Sequence, residues 1–141
     1  MFRLLQGDVG SGKTIISLIC AANVVDSSFQ VAFMAPTEIL AEQHFNLAKT
    51  IYKKLNINFE LLIGSIEPAN RKKILHGLHK NKINIIFGTH ALFQKKVLFS
   101  KLGLIIIDEQ HKFGVKQRIE LSNKGDKDCD ILLMSATPIP R

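Results

Sequence analysis

The segment Gly7-Asp8-Val9-Gly10-Ser11-Gly12-Lys13-Thr14 constrains this chain more than any other, because it matches the pattern G-x-x-x-x-G-K-[ST] in full. Its glycines let the backbone curl so that successive N–H groups face inward as an anion nest at a helix N-terminus. A lysine in the place of Lys13 reaches the β- and γ-phosphates of a nucleotide, and a hydroxyl in the place of Thr14 can ligate Mg²⁺. Short patterns recur by chance, so the context decides. Here an apolar run, Arg3–Gln6, precedes the loop, and an Ala-rich helical run from Lys13 to about Val25 follows it. A chain that carries this loop must deliver a strand into it and a helix out of it.

The rest of the chain repeats that alternation. Short apolar, β-branched runs at Gln30–Ala35, Asn58–Ile63, Ile83–Phe87, Gly103–Ile107 and Asp130–Met134 read as strands buried on both faces. Thr37–Leu55 opens after Pro36 with Thr37 as an N-cap, and Glu67–His79 sets Ile74, Leu75 and Leu78 on one stripe. Alternating strands and helices predict an α/β domain whose mostly parallel sheet is covered by helices on both faces. In such sheets ligands bind at the carboxyl ends of the strands, so the residues just after each strand carry the information.

Those residues are consistent with one another. Leu104-Ile105-Ile106-Ile107 delivers Asp108 and Glu109, an adjacent acid pair whose side chains diverge and can take separate roles. Asp108 is expected to hold Mg²⁺, through water, and Glu109 to act as general base on an attacking water. Pro36-Thr37-Glu38, Gly64-Ser65, Gly88-Thr89-His90 and Ser135-Ala136-Thr137-Pro138 end the other strands. Small hydroxyl residues and free N–H groups at helix starts suit phosphate oxygens and read no base identity. Each segment alone is also an ordinary cap or turn. Together, on a basic chain, they point to a tracked nucleic-acid backbone.

Charge supports that expectation in part. The net charge is +7, and it is concentrated: Lys49 to Lys101 holds eleven basic residues against Glu60 and Glu67, or +9, leaving −2 for the rest. A basic stretch of this kind is expected to face a polyanion. The competing account is compositional, since arginine occurs only at positions 3, 71, 118 and 141 and the Lys, Ile and Asn content fits AT-rich coding. Cys20 and Cys129 sit among apolar neighbours and are expected as reduced, buried thiols. No apolar run approaches the roughly 20 residues of a membrane span, which gives the expectation of a soluble, cytoplasmic domain with no membrane partner. His76 and His79 are expected at the surface, and the phenylalanines in the core rather than in a base-stacking platform.

The order of these motifs resembles the first, RecA-like motor domain of superfamily 2 helicases: phosphate loop, Ala35-Pro36-Thr37, Gly88-Thr89-His90, Asp108-Glu109-Gln110-His111, Ser135-Ala136-Thr137. The flanks narrow the likeness. Arg3-Leu4-Leu5-Gln6 before the phosphate loop, Met34-Ala35-Pro36-Thr37-Glu38-Ile39-Leu40-Ala41-Glu42-Gln43-His44, Gly88-Thr89-His90-Ala91-Leu92 and Met134-Ser135-Ala136-Thr137-Pro138-Ile139-Pro140-Arg141 resemble the RecG family of ATP-dependent DNA helicases. The transcription-repair coupling family, a near relative, usually has Glu where Gln110 stands. A small P-loop kinase or GTPase fits the loop but neither Gln110-His111 nor Ser135-Ala136-Thr137, and no N-K-x-D pattern occurs.

The resemblance implies ATP and Mg²⁺ as cofactors and forked or branched duplex DNA as partner, with hydrolysis driving translocation in repair and recombination, in a bacterial cytoplasm. It implies that Gln110, His111, Ser135 and Thr137 couple the γ-phosphate to DNA-contacting loops. Thr37, Ser65, Thr89 and His90 would touch the DNA backbone, and the strand ending at Ser135 would lie between the first and fifth strands. It also implies that residues 1–141 are a first motor domain incomplete at its N-terminus. The segment that reads adenine, the second RecA-like domain with its arginine finger and the DNA-binding wedge domain would be absent. A nucleotide- and DNA-binding module, or a gene remnant, without turnover is the alternative.

Overall fold

A computed structural model describes residues 2–6, 11–109 and 129–135, with side chains over 12–92, 94–108 and 129–134. Six strands, β1 (Phe2–Gln6), β2 (Gln30–Met34), β3 (Phe59–Leu62), β4 (Ile85–Gly88), β5 (Leu102–Glu109) and β6 (Asp130–Ser135), form one sheet in the order β1-β6-β5-β2-β4-β3. Every pairing is parallel. Among the described residues the connections hold helices α1 (Ser11–Asp26), α2 (Glu38–Ile51) and α3 (Pro68–His79) and a 3-10 turn at His90–Phe93. The expected strand ending at Ser135 does lie between the first and fifth strands.

The strand order decides which face each helix covers. The β1→β2 and β2→β3 connections step one way along the sheet and the β3→β4 connection steps back. Right-handed crossovers therefore place α1 and α2 on one face and α3 on the other. The two cores follow that division. Leu18 and Ala21 of α1 and Ala48 and Tyr52 of α2 pack on Val31, Phe33, Ile85, Phe87, Leu104 and Ile106. Ile74 and Leu78 of α3, with Leu92 and Val97, pack on Ala32, Met34, Ile86, Ile105 and Ile107. Strand residues alternate between the two clusters, as a pleat of period two requires. Phe33, Phe87, Phe45, Phe59 and Tyr52 form a run of ring contacts on the α1/α2 side. Their placement matches the core role expected for the phenylalanines.

Helix ends explain two boundary differences. Thr37 caps α2 as expected, its side-chain oxygen accepting from the Leu40 N–H at 3.2 Å. The helix closes at Tyr52 rather than Leu55, because the buried Tyr52 hydroxyl donates to the Leu18 carbonyl of α1 and anchors the chain there. Burial raises the Tyr52 pKa, with the nearby Cys20 adding to it. Gly88 has no substitute at the end of β4: a Cβ there would lie 2.7 Å from the Leu62 carbonyl oxygen and 2.9 Å from Leu92.

At the amino end of β2 stands Gln30, fully buried. Its Nε2 donates to the carbonyls of Leu78 and Ile83, both at 2.9 Å. Its Oε1 accepts from the N–H groups of Ser100 and Lys101, at 2.8 and 2.9 Å. One side chain thus ties α3 and the approach to β4 to the approach to β5. Cys20 and Cys129 are only half-buried, a correction to the expected burial: α1 turns Cys20 toward its exposed side, and Cys129 precedes β6 rather than lying in it.

Candidate functional site

All six strands are parallel, so their carboxyl ends share one edge of the sheet, and the residues singled out in the sequence collect there. They divide by strand order. The β1-β6-β5 half carries the phosphate-loop segment after β1, the acid pair on β5 and Ser135 on β6. The β2-β4-β3 half carries Thr37, then Thr89 and His90, then Ser65.

On the first half, α1 begins at Ser11, so Gly12, Lys13 and Thr14 occupy its first turn, where N–H groups lack helical partners. Thr14 is 8% exposed and faces the sheet, while Gly12 is open: a Cβ there would meet nothing within 4 Å. One turn on, the Ser17 hydroxyl lies 2.7 Å from both the Lys13 carbonyl oxygen and the Met134 sulfur, its one proton shared between them, which fixes the start of α1 against β6. Gly7, Asp8, Val9 and Gly10 lie outside the described residues, as do Gln110, His111 and Thr137. The backbones of Ser11, Glu109 and Ser135 are described, but their side chains are not.

Strand β5 runs further than the apolar pattern indicated and includes both acids. Asp108 shares the parity of Leu104 and Ile106 and so faces the α1/α2 layer, the same layer that holds the phosphate-loop helix. It is 3% exposed, which excludes a solvated acid at the start of a loop. Its partner is His44 of α2: Nε2 lies 2.6 Å from Oδ2. An ionised carboxylate only accepts, so the imidazole donates from Nε2. The His44 ring also packs on Phe33, with centroids 4.9 Å apart.

His44 is the site residue that reading the sequence missed. A signal was present: Ala41, His44 and Ala48 are the buried stripe of α2, and a histidine in such a stripe requires a buried partner. Gln30, opening an apolar strand, is a second such signal.

On the other half the groups are accessible. Thr37, Ser65 and His90 are exposed and Thr89 is half-buried. The three strand ends are held at fixed spacing by hydrogen bonds between loops: the Glu38 carboxylate accepts from the Gly64 N–H at 2.8 Å, and the Ala35 N–H donates to the Gly88 carbonyl at 2.8 Å. Arg71, in the first turns of α3, donates to the Ile63 carbonyl at 3.1 Å.

The fold breaks up the basic stretch. Arg71, Lys72 and Lys73 start α3 and lie toward the carboxyl edge of the sheet. Lys80 and Lys82 precede β4, Lys101 precedes β5, and Lys53 and Lys54 follow the end of α2, which puts all five toward the opposite edge. The expectation that the whole +9 segment faces one polyanion is therefore corrected: a chain that reverses direction between each helix and strand sends neighbours in sequence to opposite ends of the sheet. His76 and His79 are exposed, as expected.

With this geometry in place, comparison with known proteins gives the class. The family model of the DEAD/DEAH box helicases matches residues 3–141, and the chain belongs to that family, whose helicase domain uses ATP. Within it the likeness is to RecG. The chain is 54% identical to the ATP-dependent DNA helicase RecG of Thermotoga maritima and 50% identical to that of Bacillus subtilis, each over 141 residues. All of this chain is matched, but only 18% and 20% of those relatives, so it spans about a fifth of their length. The solved structure of RecG bound to a three-way DNA junction superposes with a TM-score of 0.84 at 50% identity, over 99% of this chain and 18% of that one. The helicase MrfA bound to DNA, at 16% identity and TM-score 0.76, shares the fold. Among the described residues no helix is long and apolar enough to cross a membrane.

Proposed function

We propose that this chain is the ATP-hydrolysing motor domain of a RecG-type DNA helicase, acting on forked or branched duplex DNA in the bacterial cytoplasm. The observation that supports it is the partition of one sheet edge. Buried Thr14 and Asp108 stand on the β1-β6-β5 half, and the small polar residues Thr37, Ser65, Thr89 and His90 stand on the β2-β4-β3 half. The chemistry of RecG relatives needs both halves: a pocket for triphosphate and a track for a phosphate backbone.

In this reading the backbone of Gly7–Thr14 cradles the phosphates and Lys13 holds the β- and γ-phosphates. Thr14 and Asp108 fit Mg²⁺, since a hydroxyl and a carboxylate are the hard oxygen donors that ion takes. The bound ion would neutralise charge gathering on the phosphates. Glu109 accepts the proton of the attacking water. Gln110, His111, Ser135 and Thr137 carry the state of the γ-phosphate to the DNA side, where Thr37, Ser65, Thr89 and His90 contact the backbone without reading bases. In the longer relatives, the family resemblance places an arginine finger on a second RecA-like domain. Such a finger contributes several orders of magnitude in rate, about 10³–10⁵-fold.

Nucleotide titration and phosphate release with forked duplex, for the chain and for Lys13→Ala, test this. Loss of both nucleotide binding and DNA-stimulated release in Lys13→Ala is expected. Binding that survives the substitution would sink the assigned pocket. The second reading is a nucleotide- and DNA-binding module without turnover. Release no faster than that of Lys13→Ala would establish it.

A further inference from the structure

The assignment of Asp108 to the metal leaves its partner unexplained. His44 comes from α2, the helix that Thr37 caps and whose Glu38 holds the loop after β3, yet its ring reaches across to β5. Both side chains are almost fully enclosed, 9% exposed for His44 and 5% for Asp108. The ring is held on two sides, by Phe33 at 4.9 Å between centroids and by the carboxylate at 2.6 Å. A charge-assisted hydrogen bond of this length is among the stronger ones in proteins, and its geometry leaves the ring little freedom. Among the described residues it engages Oδ2 of Asp108 and no bond to Oδ1 is present.

This has a consequence for the carboxylate. A strand-borne aspartate can turn about two side-chain torsions, and each wrong rotamer withdraws an oxygen from where a metal shell needs it. Pinning one oxygen from behind selects a rotamer and presents the other. The pin comes from the buried stripe of a helix packed on the sheet, so it is in place before any nucleotide arrives. That is the arrangement by which groups behind a metal ligand orient it, and their loss typically costs about 10–100-fold in metal affinity.

We propose that His44 is a positioning residue for the magnesium–nucleotide: its Nε2–H sets the rotation of the Asp108 carboxylate that holds the ion. The inference rests on the reading of Asp108 as the magnesium-holding residue given above. Asp108→Asn tests that reading by itself: Mn²⁺ affinity unchanged by Asp108→Asn would overturn the metal assignment whatever His44 does.

For His44 the experiment measures Mn²⁺ affinity by electron paramagnetic resonance on the full chain with excess ADP. Affinity for fluorescent ADP without divalent cation is measured alongside it. In His44→Ala, Mn²⁺ affinity should fall by about 10–100-fold, while metal-free ADP affinity stays within about twofold of wild type, since Lys13 and the loop backbone are untouched. His44→Gln should restore most of the Mn²⁺ affinity, because its amide N–H extends to about the place of Nε2; His44→Asn, one methylene shorter, should not. Should His44→Ala fail to fold, the contrast between Gln and Asn decides the matter. Equal Mn²⁺ affinities in the Gln and Asn variants overturn the proposal. So does a parallel drop of metal and metal-free nucleotide affinity, because a merely structural histidine would affect both.

Discussion

On the β1-β6-β5 half of the sheet edge the chemical groups are enclosed: Thr14 is 8% exposed, Asp108 3%, and Ser17 is fully buried beneath them. On the β2-β4-β3 half Thr37, Ser65 and His90 face solvent. Both halves are built from the same parallel strands, and the difference lies in what stands over the strand ends. Around Asp108 on the first stand side chains of the α1/α2 layer, with His44 of α2 against its carboxylate, so that charge lies in a low-dielectric space where position matters. Short loops end the second, which leaves hydroxyls and N–H groups that can meet a phosphate backbone and release it.

The halves meet along the β5–β2 pair, and that seam is fastened at three places. His44 joins α2 to Asp108 at the carboxyl end, Gln30 joins α3 and β4 to the approach to β5 at the amino end, and Tyr52 joins α2 to α1 above the sheet. None is a hydrophobic contact. Directional bonds at a seam define the relative position of two halves more sharply than packing alone, because a hydrogen bond weakens steeply when its angle is lost.

The largest expected effect would separate the halves functionally. Lys13→Ala should lower nucleotide-dependent turnover of the motor by at least about 10²–10³-fold, the scale for removing one preorganised electrostatic group. Duplex affinity without nucleotide, measured by fluorescence anisotropy, should be unchanged. If duplex binding fell as well, the partition of the edge would be wrong.

Next in size is the seam. Gln30→Leu leaves two carbonyls and two N–H groups without their partner in a buried place, at a cost of roughly 2–4 kcal/mol. Urea unfolding should show that loss as a lower midpoint with an unchanged slope. A near-neutral result would mean the halves are held by packing alone.

The third test addresses the divided basic stretch. Lys72→Gln with Lys73→Gln should reduce the salt slope of duplex binding by about 1 per lysine that contacts phosphate. The same change at Lys53, Lys54, Lys80, Lys82 and Lys101 should leave the slope as it was. Equal effects from both sets would restore the view that the whole stretch faces DNA.

The smallest effect concerns Tyr52, whose phenol keeps its proton in the folded chain to higher pH than in the unfolded one. The folded state thus binds that proton more tightly. Its stabilising contribution is complete below the ordinary tyrosine value near 10 and declines as pH rises above it. Tyr52→Phe should cost about 1 kcal/mol at neutral pH for the lost bond to Leu18, and flatten the alkaline fall in stability followed by circular dichroism.

Much of the fold was legible because each element is coded locally. Apolar β-branched runs marked all six strands to within two residues at every end, and Thr37 and Glu67 marked two helix starts. The phosphate-loop pattern and the acid pair stand out in the sequence because the chemistry expected of them needs adjacent residues, and β5 carries both acids at its carboxyl end. His44 and Gln30 were less visible, since their partners are 64 residues away in one case and 48 to 71 in the other. A polar residue on an apolar stripe announces that a partner exists without saying which.

What the sequence determined by itself is the class of chemistry, a phosphate-binding loop, an acid pair and a series of polar strand ends in helicase order. The tertiary structure decided how these are arranged. Strand order placed β6 between β1 and β5, pleat parity turned Asp108 toward α1 and α2, and chain reversal divided the +9 stretch between two edges. The physical reason is that periodicity and turn chemistry act over a few residues, whereas the right-handed crossover and the burial of both sheet faces are settled only when all the strands are packed together.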